Sequence, residues 1–157
     1  MKRKQMSFGA WLTSVAAVIT LASIIVYIIN ISSEGYFQNA TVTNLVFLNV
    51  VSLLAYAGAV VIGLLGLKGL FGWISNIVVG VLQIGAPVLL SYTFINLISS
   101  RVQGLAFIFF SNPDVIKEVQ TPANMASAKG TITNMVFLGV AIVVGIVAAF
   151  FNTKKEA

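Results

Sequence analysis

Apolar residues form four long runs along the chain, separated by short polar segments. The runs are about Ala10–Ile31, Asn44–Leu67, Phe71–Leu97 and Thr131–Phe151. Each run is long enough to cross the roughly 30 Å hydrocarbon layer of a bilayer as a helix. No acidic or basic residue lies within a run, apart from Lys68 at the boundary between the second and the third. The pattern predicts an all-α integral membrane protein whose residues 1–157 form a single bundle of four transmembrane helices.

The composition supports this prediction. The chain is 59% hydrophobic and only 8% charged, whereas about 25% of the residues of a typical soluble domain are charged. One small globule cannot hide that much apolar surface, so lipid must cover most of it. The first run follows MKRKQM, but it is longer than the apolar part of a signal peptide and no convincing cleavage site follows. We therefore expect it to be a retained anchor.

The basic residues predict the orientation of the bundle, because cytoplasmic loops carry an excess of Lys and Arg. With both termini on the inside, the inner side has six: Lys2, Arg3, Lys4, Lys68, Lys154 and Lys155. The outer side then has three: Arg101, Lys117 and Lys129. The excess predicts a multi-pass protein of the cell membrane with both termini in the cytoplasm.

The segment between the third and fourth spans, about residues 98–130, is expected to be an extended outer loop. Within it, Ser111 or Asn112 can cap a helix that has Pro113 in its first turn. The preceding LAFIFF is too apolar to be surrounded by water. We expect this part of the loop to lie at the membrane interface or to pack on the bundle, followed by one short interfacial helix.

Two stretches are nearly identical. Thr41–Val50 reads TVTNLVFLNV and Thr131–Val140 reads TITNMVFLGV, with seven of ten positions the same. Weaker matches precede them in the same order, FGAWLTSV with FGWISNIV and YIINISS with FINLISS. This predicts two parallel two-helix repeats, spans 1–2 and spans 3–4. The alternative is that membrane helices with good capping residues begin alike. The main difference predicts a polar group at Asn49, facing the bundle interior, and a close-packing notch at Gly139.

Several kinds of chemistry are missing from the sequence. There is no Cys and no His, which removes thiolate sites and the commonest metal ligand. The spans lack the ionisable groups typical of pumps and ion-coupled carriers. No catalytic, cofactor-binding or metal-binding motif is present, so we expect a protein that is not an enzyme and needs no cofactor. The basic residues form no stripe, which argues against nucleic acid as a partner.

Neutral polar residues remain near the middle of the spans. Asn49, Ser52 and Tyr56 are spaced to share one face of the second span. Gln83 in the third span has nearly the same depth as Tyr56, which predicts a hydrogen bond between them. Pro87 removes the donor to the Gln83 carbonyl and predicts a kink. These residues form either a polar site for a neutral solute or a partner helix, or ordinary hydrogen bonds between helices.

Small residues predict where helices approach closely. The candidates are Gly58, Gly63, Gly66, Ala141 and Gly145. Such surfaces serve packing within one bundle, and they also serve contacts with other proteins.

Two functions are consistent with these features. The first is a non-enzymatic accessory, assembly or regulatory subunit of a larger membrane complex for transport or for the cell envelope. The alternative is a homo-oligomeric passive channel or facilitator for a small neutral solute, lined by Asn49, Ser52, Tyr56 and Gln83. The expected partners are the lipid bilayer and either another membrane protein or further copies of the chain.

Overall fold

Four membrane-length helices dominate the computed structural model, which describes residues 6–153. Its helices are α1 Phe8–Ser32, α2 Leu45–Leu65, α3 Gly69–Phe110, α4 Pro113–Val119 and α5 Pro122–Ala149. All except α4 are long and apolar enough to cross a membrane. Within residues 6–153, the prediction of an all-helical fold with four helices long and apolar enough to span a membrane is therefore confirmed. Lys2, Arg3, Lys4, Lys154 and Lys155 lie outside the described residues, and the orientation of the bundle stays a prediction.

The four long helices form a ring in which each packs against two neighbours. Helix α1 contacts α2 and α5, and α3 contacts the same two helices from the other side. The diagonal pairs are therefore α1 with α3 and α2 with α5. The shared core at the centre of the ring includes Tyr27, Tyr56, Leu90, Leu97 and Leu138. We call the end of the ring that holds Ser7 and Thr153 the terminal end. The opposite end, which holds α4, is the α4 end.

Helices α2 and α3 are joined by a tight turn at the terminal end. Gly66 ends α2 in the left-handed conformation (φ 60°), and Gly69 begins α3 with φ 64°. Glycine adopts such backbone angles without the steric cost that a side chain brings. The boundary that Lys68 marks between the second and third runs is therefore a tight turn, and Gly66 ends α2.

The predicted outer loop is largely helical, so that expectation was wrong. Helix α3 continues to Phe110, and α5 begins at Pro122. Only the short helix was predicted correctly: α4 begins after Asn112, whose side chain accepts a hydrogen bond from the Val115 backbone N–H at 3.0 Å. The helical extensions have a core of their own, a cluster of Phe37, Ile108 and Ala128. This cluster explains why the chain stays ordered beyond the spans.

The two nearly identical stretches do not occupy equivalent positions. Residues 41–44 precede α2, whereas residues 131–134 lie well inside α5. Asn44 is exposed, and its counterpart Asn134 is buried. A Cβ on Gly139 would come no closer than 4.0 Å to Phe94, so the notch predicted there was wrong. The internal repeat stays a prediction, and the similar sequences present different faces to the interior.

Candidate functional site

The polar residues singled out in the sequence all lie in the interior of the bundle. Asn49, Ser52 and Tyr56 of α2 are completely buried, and Gln83 of α3 is nearly so. Their burial follows from helical spacing, because positions i, i+3 and i+7 share one face of a helix. Asn49 thus faces the bundle on the same side as Tyr56, as its spacing suggests.

Asn49 links α2 to α3. The Thr93 hydroxyl contacts Asn49 Oδ1 at 2.8 Å and the carbonyl of Leu90 at 2.9 Å. The Asn49 amide nitrogen, although buried, has no hydrogen-bond partner. Ser52 donates to the carbonyl of Leu48 in its own helix at 2.9 Å. Of these two polar residues, only Asn49 contributes a bond between helices.

The hydrogen bond predicted between Tyr56 and Gln83 is not formed. Gln83 Nε2 instead donates to Thr13 Oγ1 of α1 at 2.9 Å, with a longer contact of 3.5 Å to the carbonyl of Ala148. Equal depth brings two residues to one level of a bundle, but the rotation of each helix about its axis decides which side chains meet. Gln83 reaches across the ring to the diagonal helix.

Tyr56 also reaches across the ring, from α2 to α5. A Cβ on Gly145 would overlap the Tyr56 hydroxyl and would lie 3.0 Å from Cζ of the ring and 3.4 Å from Cβ of Pro87. The hydroxyl has no hydrogen-bond partner. Gly145 therefore provides the space that the tyrosine occupies, and this contact fills the centre of the bundle.

The other predicted packing positions have varied surroundings. Ala141 is part of the central core. A Cβ on Gly58 would meet Leu82 of α3 at 3.5 Å, an ordinary contact. Gly63 lies against Thr153, which follows the last helix. Pro87 lies within α3, which continues past it without a break, and the kink stays a prediction.

Sequence reasoning missed two hydrogen bonds that join α1 to α5. Ser23 Oγ donates to Asn134 Oδ1 at 2.5 Å, and Asn30 Nδ2 donates to Thr131 Oγ1 at 2.8 Å. Both pairs are buried. Their partners are more than a hundred residues apart in sequence, so no local pattern could reveal them.

Sequence reasoning also missed the burial of Arg101. This residue, on the extension of α3, is 3% exposed. Its guanidinium donates to the carbonyl of Ala40, and its central carbon lies 4.7 Å from the centre of the Phe37 ring. The spacing of Leu97, Arg101 and Gly104 on one helical face is a signal that could have indicated this burial.

The interior therefore carries neutral hydrogen bonds between helices. Three buried polar atoms of the described residues have no partner: Asn49 Nδ2, the Tyr56 hydroxyl oxygen and Arg101 Nε. Among residues 6–153, no three His, Cys, Asp or Glu side chains lie close enough to hold a metal ion. The arrangement joins the helices to one another through hydrogen bonds and close packing. No family model, curated protein or solved structure matches this chain.

Replacing Tyr56 with phenylalanine tests whether this interior is dry. The change removes an unpaired hydroxyl and keeps the ring, so we expect the free energy of unfolding to rise by about 1 kcal/mol. Thr93→Val is the control, because it removes the hydrogen bond between the Thr93 hydroxyl and Asn49 Oδ1. It should lower the free energy of unfolding. Both can be measured by denaturant unfolding in detergent micelles. A loss of stability in Tyr56→Phe would mean that the hydroxyl has a partner, such as bound water, which would contradict a dry interior.

Proposed function

We propose that this chain is a non-enzymatic accessory or assembly subunit of a larger membrane complex, and that α3 contacts the partner. The observation that carries this proposal is the exposed side chain of Asn76 on the surface of the span. Asn76 follows Gly69 by seven residues, which places it about 10 Å along the helix. A carboxamide in this position would otherwise face lipid, where it finds no hydrogen-bond partner.

The surroundings of Asn76 suit the approach of another helix. Gly80 and Ile84 follow at intervals of four residues and so share its face of α3. A Cβ on Gly80 would meet nothing within 4 Å. Unlike Gly145, this glycine makes no close contact in its own bundle. A small residue beside an amide is typical of surfaces where membrane helices meet.

A groove between α3 and α5 extends this surface. Its lining is almost entirely apolar and consists of Ile84, Pro87, Val88, Ser91, Ile146, Ala149 and Phe150. Ser91 uses its hydroxyl within its own helix, donating to the carbonyl of Pro87 at 2.8 Å. The groove thus offers shape and apolar contact, and Asn76 adds the hydrogen bond that fixes the partner's position.

The passive channel has less support from the same structure. A path through one bundle would pass Tyr56, whose ring lies against Gly145 at the centre. Asn49 and Tyr56 are completely buried, so they do not line an open passage. A channel would have to form between copies of the chain, along surfaces that are otherwise lipid-facing and apolar.

Site-specific photo-crosslinking tests the proposed subunit function. A photoreactive residue at Asn76 should give an adduct with one other membrane protein in native membranes. The same residue at Val18, a 66% exposed position on α1, is the matched control and should give none. Asn76→Leu should reduce recovery of the partner about threefold, as expected for a loss of about 0.6 kcal/mol. Adducts only between copies of the chain would favour the homo-oligomer, and equal adducts at both positions would contradict a specific surface.

A further inference from the structure

A polar cleft lies between the loop that precedes α2 and the middle part of α3. Its volume is about 510 Å³, within the usual range for small-molecule sites. Apart from Val42, its lining consists of residues with a hydroxyl or a carboxamide group: Thr41, Thr43, Tyr92, Asn96, Ser99 and Ser100. Among residues 6–153, no charged side chain lines it. We call this feature the α2–α3 cleft.

Most of the polar groups in the α2–α3 cleft have no partner within the protein. The Ser100 hydroxyl donates to the carbonyl of Leu97 at 2.9 Å. Within the described part of the chain, the side chains of the other five polar residues form no hydrogen bond. A hydroxyl both donates and accepts, and a carboxamide does the same with two different atoms. The cleft therefore offers donors and acceptors close together, which suits a ligand rich in hydroxyl groups.

Buried contacts fix the loop side of the cleft. The backbone N–H of Val42 donates to the Tyr27 hydroxyl at 2.6 Å, and Tyr27 belongs to the central core. The Arg101 guanidinium donates to the carbonyl of Ala40, the residue before Thr41. The other side of the cleft is a continuous helix. A cleft that is already formed loses little conformational entropy when a ligand binds.

The depth of the cleft places it at a membrane interface. Trp73 is exposed on α3 near the terminal end, and tryptophan is enriched at the boundary between hydrocarbon and water. Tyr92 follows it by 19 residues and Asn96 by 23, which corresponds to about 28–35 Å along the helix. The hydrocarbon layer is about 30 Å thick. The cleft therefore lies at the level of the lipid headgroups on the side of the α4 end.

Apolar surface continues from the cleft toward the middle of the membrane. Phe47 of α2, one turn after Thr43, is 66% exposed. On α3, Gly85 comes seven residues before Tyr92 and so shares its face. A Cβ on Gly85 would meet nothing within 4 Å. A molecule whose polar end occupies the cleft can therefore lay an acyl chain along α2 and α3.

We propose that the α2–α3 cleft binds the sugar headgroup of a glycolipid. A sugar presents neighbouring hydroxyls, which match the donors and acceptors of the cleft, and a face of C–H groups that can pack on the Tyr92 ring. The uncharged lining favours a neutral headgroup over a phosphate, which proteins commonly bind through Arg or Lys. The depth and the adjoining apolar surface favour a lipid over a free sugar. The cleft lies toward α2, so the inference does not depend on a protein partner at Asn76.

Lipid retention by the purified full-length protein tests the proposal. A diglucosyl diacylglycerol is compared with phosphatidylglycerol and phosphatidylcholine that carry the same acyl chains, in a detergent that contains no sugar. Retained lipid is counted by native mass spectrometry. We expect at least tenfold tighter retention of the glycolipid than of either phospholipid. The free disaccharide should bind at least tenfold more weakly than the glycolipid, because it lacks the apolar contacts of the acyl chains.

Two double variants locate the binding. Asn96→Ala with Ser99→Ala removes two hydrogen-bonding groups from the cleft and should lower retention of the glycolipid at least fivefold. Alanine favours a helix, so this variant should fold, and thermal unfolding verifies that it does. Asn112→Ala with Ser111→Ala is the matched control. It replaces the same two residue types after the end of α3, outside the cleft, and should leave retention unchanged.

Each of the other outcomes overturns part or all of the proposal. Equal retention of the three lipids, or a preference for phosphatidylglycerol, would mean that the protein does not recognise a sugar headgroup. Equally tight binding of the free disaccharide would contradict the assignment to a lipid. Unchanged retention in the cleft variant, or an equal loss in the control, would show that binding does not use the cleft. None of these results bears on crosslinking at Asn76, which tests the proposed subunit function separately.

Discussion

Replacing Gly145 with alanine should destabilise the bundle by about 1–3 kcal/mol, the usual cost of overpacking a core. The added methyl group would overlap the Tyr56 hydroxyl and would lie 3.0 Å from Cζ of the same ring. The Tyr56 ring cannot move aside easily, because it is completely buried. The added methyl group cannot move away from it either, because Cβ of Pro87 lies 3.4 Å from that methyl group. Denaturant unfolding in detergent micelles measures the loss.

Gly80→Ala is the matched control for this prediction. A Cβ there meets nothing within 4 Å, and alanine favours a helix over glycine by about 1 kcal/mol, so stability should stay the same or rise. Adding Tyr56→Phe to Gly145→Ala should restore more than the roughly 1 kcal/mol expected from Tyr56→Phe alone, because the overlapping oxygen is gone. If the effects of the two changes simply add, the contact between Tyr56 and Gly145 does not limit the packing of the bundle.

Truncating Arg101 to alanine should lower the free energy of unfolding by about 2–5 kcal/mol, the range for large buried side chains. The variant loses the hydrogen bond to Ala40 and the stacking on Phe37, and it leaves a cavity beside the loop between α1 and α2. Hydrogen exchange at residues 37–40 should increase at the same time. The measurements are denaturant unfolding and hydrogen exchange read by mass spectrometry.

Lys117→Ala is the control, because it removes an equal charge from an exposed position. Lys117 lies 3.8 Å from Asp114 in a solvent-exposed pair, and such pairs contribute little to stability. Its hydrogen exchange at residues 37–40 should match that of the unchanged protein. A comparable loss in both variants would indicate that the overall charge of the α4 end matters, and the contacts of Arg101 do not.

The spans and the buried face of α2 could be predicted because both depend on local periodicity. Four apolar runs of sufficient length predict four helices, and the spacing of Asn49, Ser52 and Tyr56 predicts a common face. The helical extensions of α3 and α5 at the α4 end were missed for a different reason. Ser99, Ser100 and Arg101 suggest a loop when polarity alone is considered. The buried positions Leu97, Arg101, Gly104 and Ile108 nevertheless continue a helical face.

The contacts across the ring could not be predicted from one sequence. They depend on how far each helix is rotated about its own axis, and depth along the membrane does not determine that rotation. Gln83 meets Thr13, and Tyr56 meets Gly145, although Tyr56 and Gln83 have similar depth. The same limit applies to the nearly identical stretches, whose similar residues face different ways in α2 and α5.

The hydrogen bonds between α1 and α5 set an order for biogenesis. Thr131, the partner of Asn30, is synthesised 101 residues later. Asn134, the partner of Ser23, is synthesised 111 residues later. At a synthesis rate of about 5–20 residues per second, the first helix spends roughly 5–20 seconds without these partners. During that time its polar face is open to whatever surrounds the nascent chain. The machinery that inserts the chain into the membrane therefore meets α1 with polar side chains exposed that the finished bundle buries.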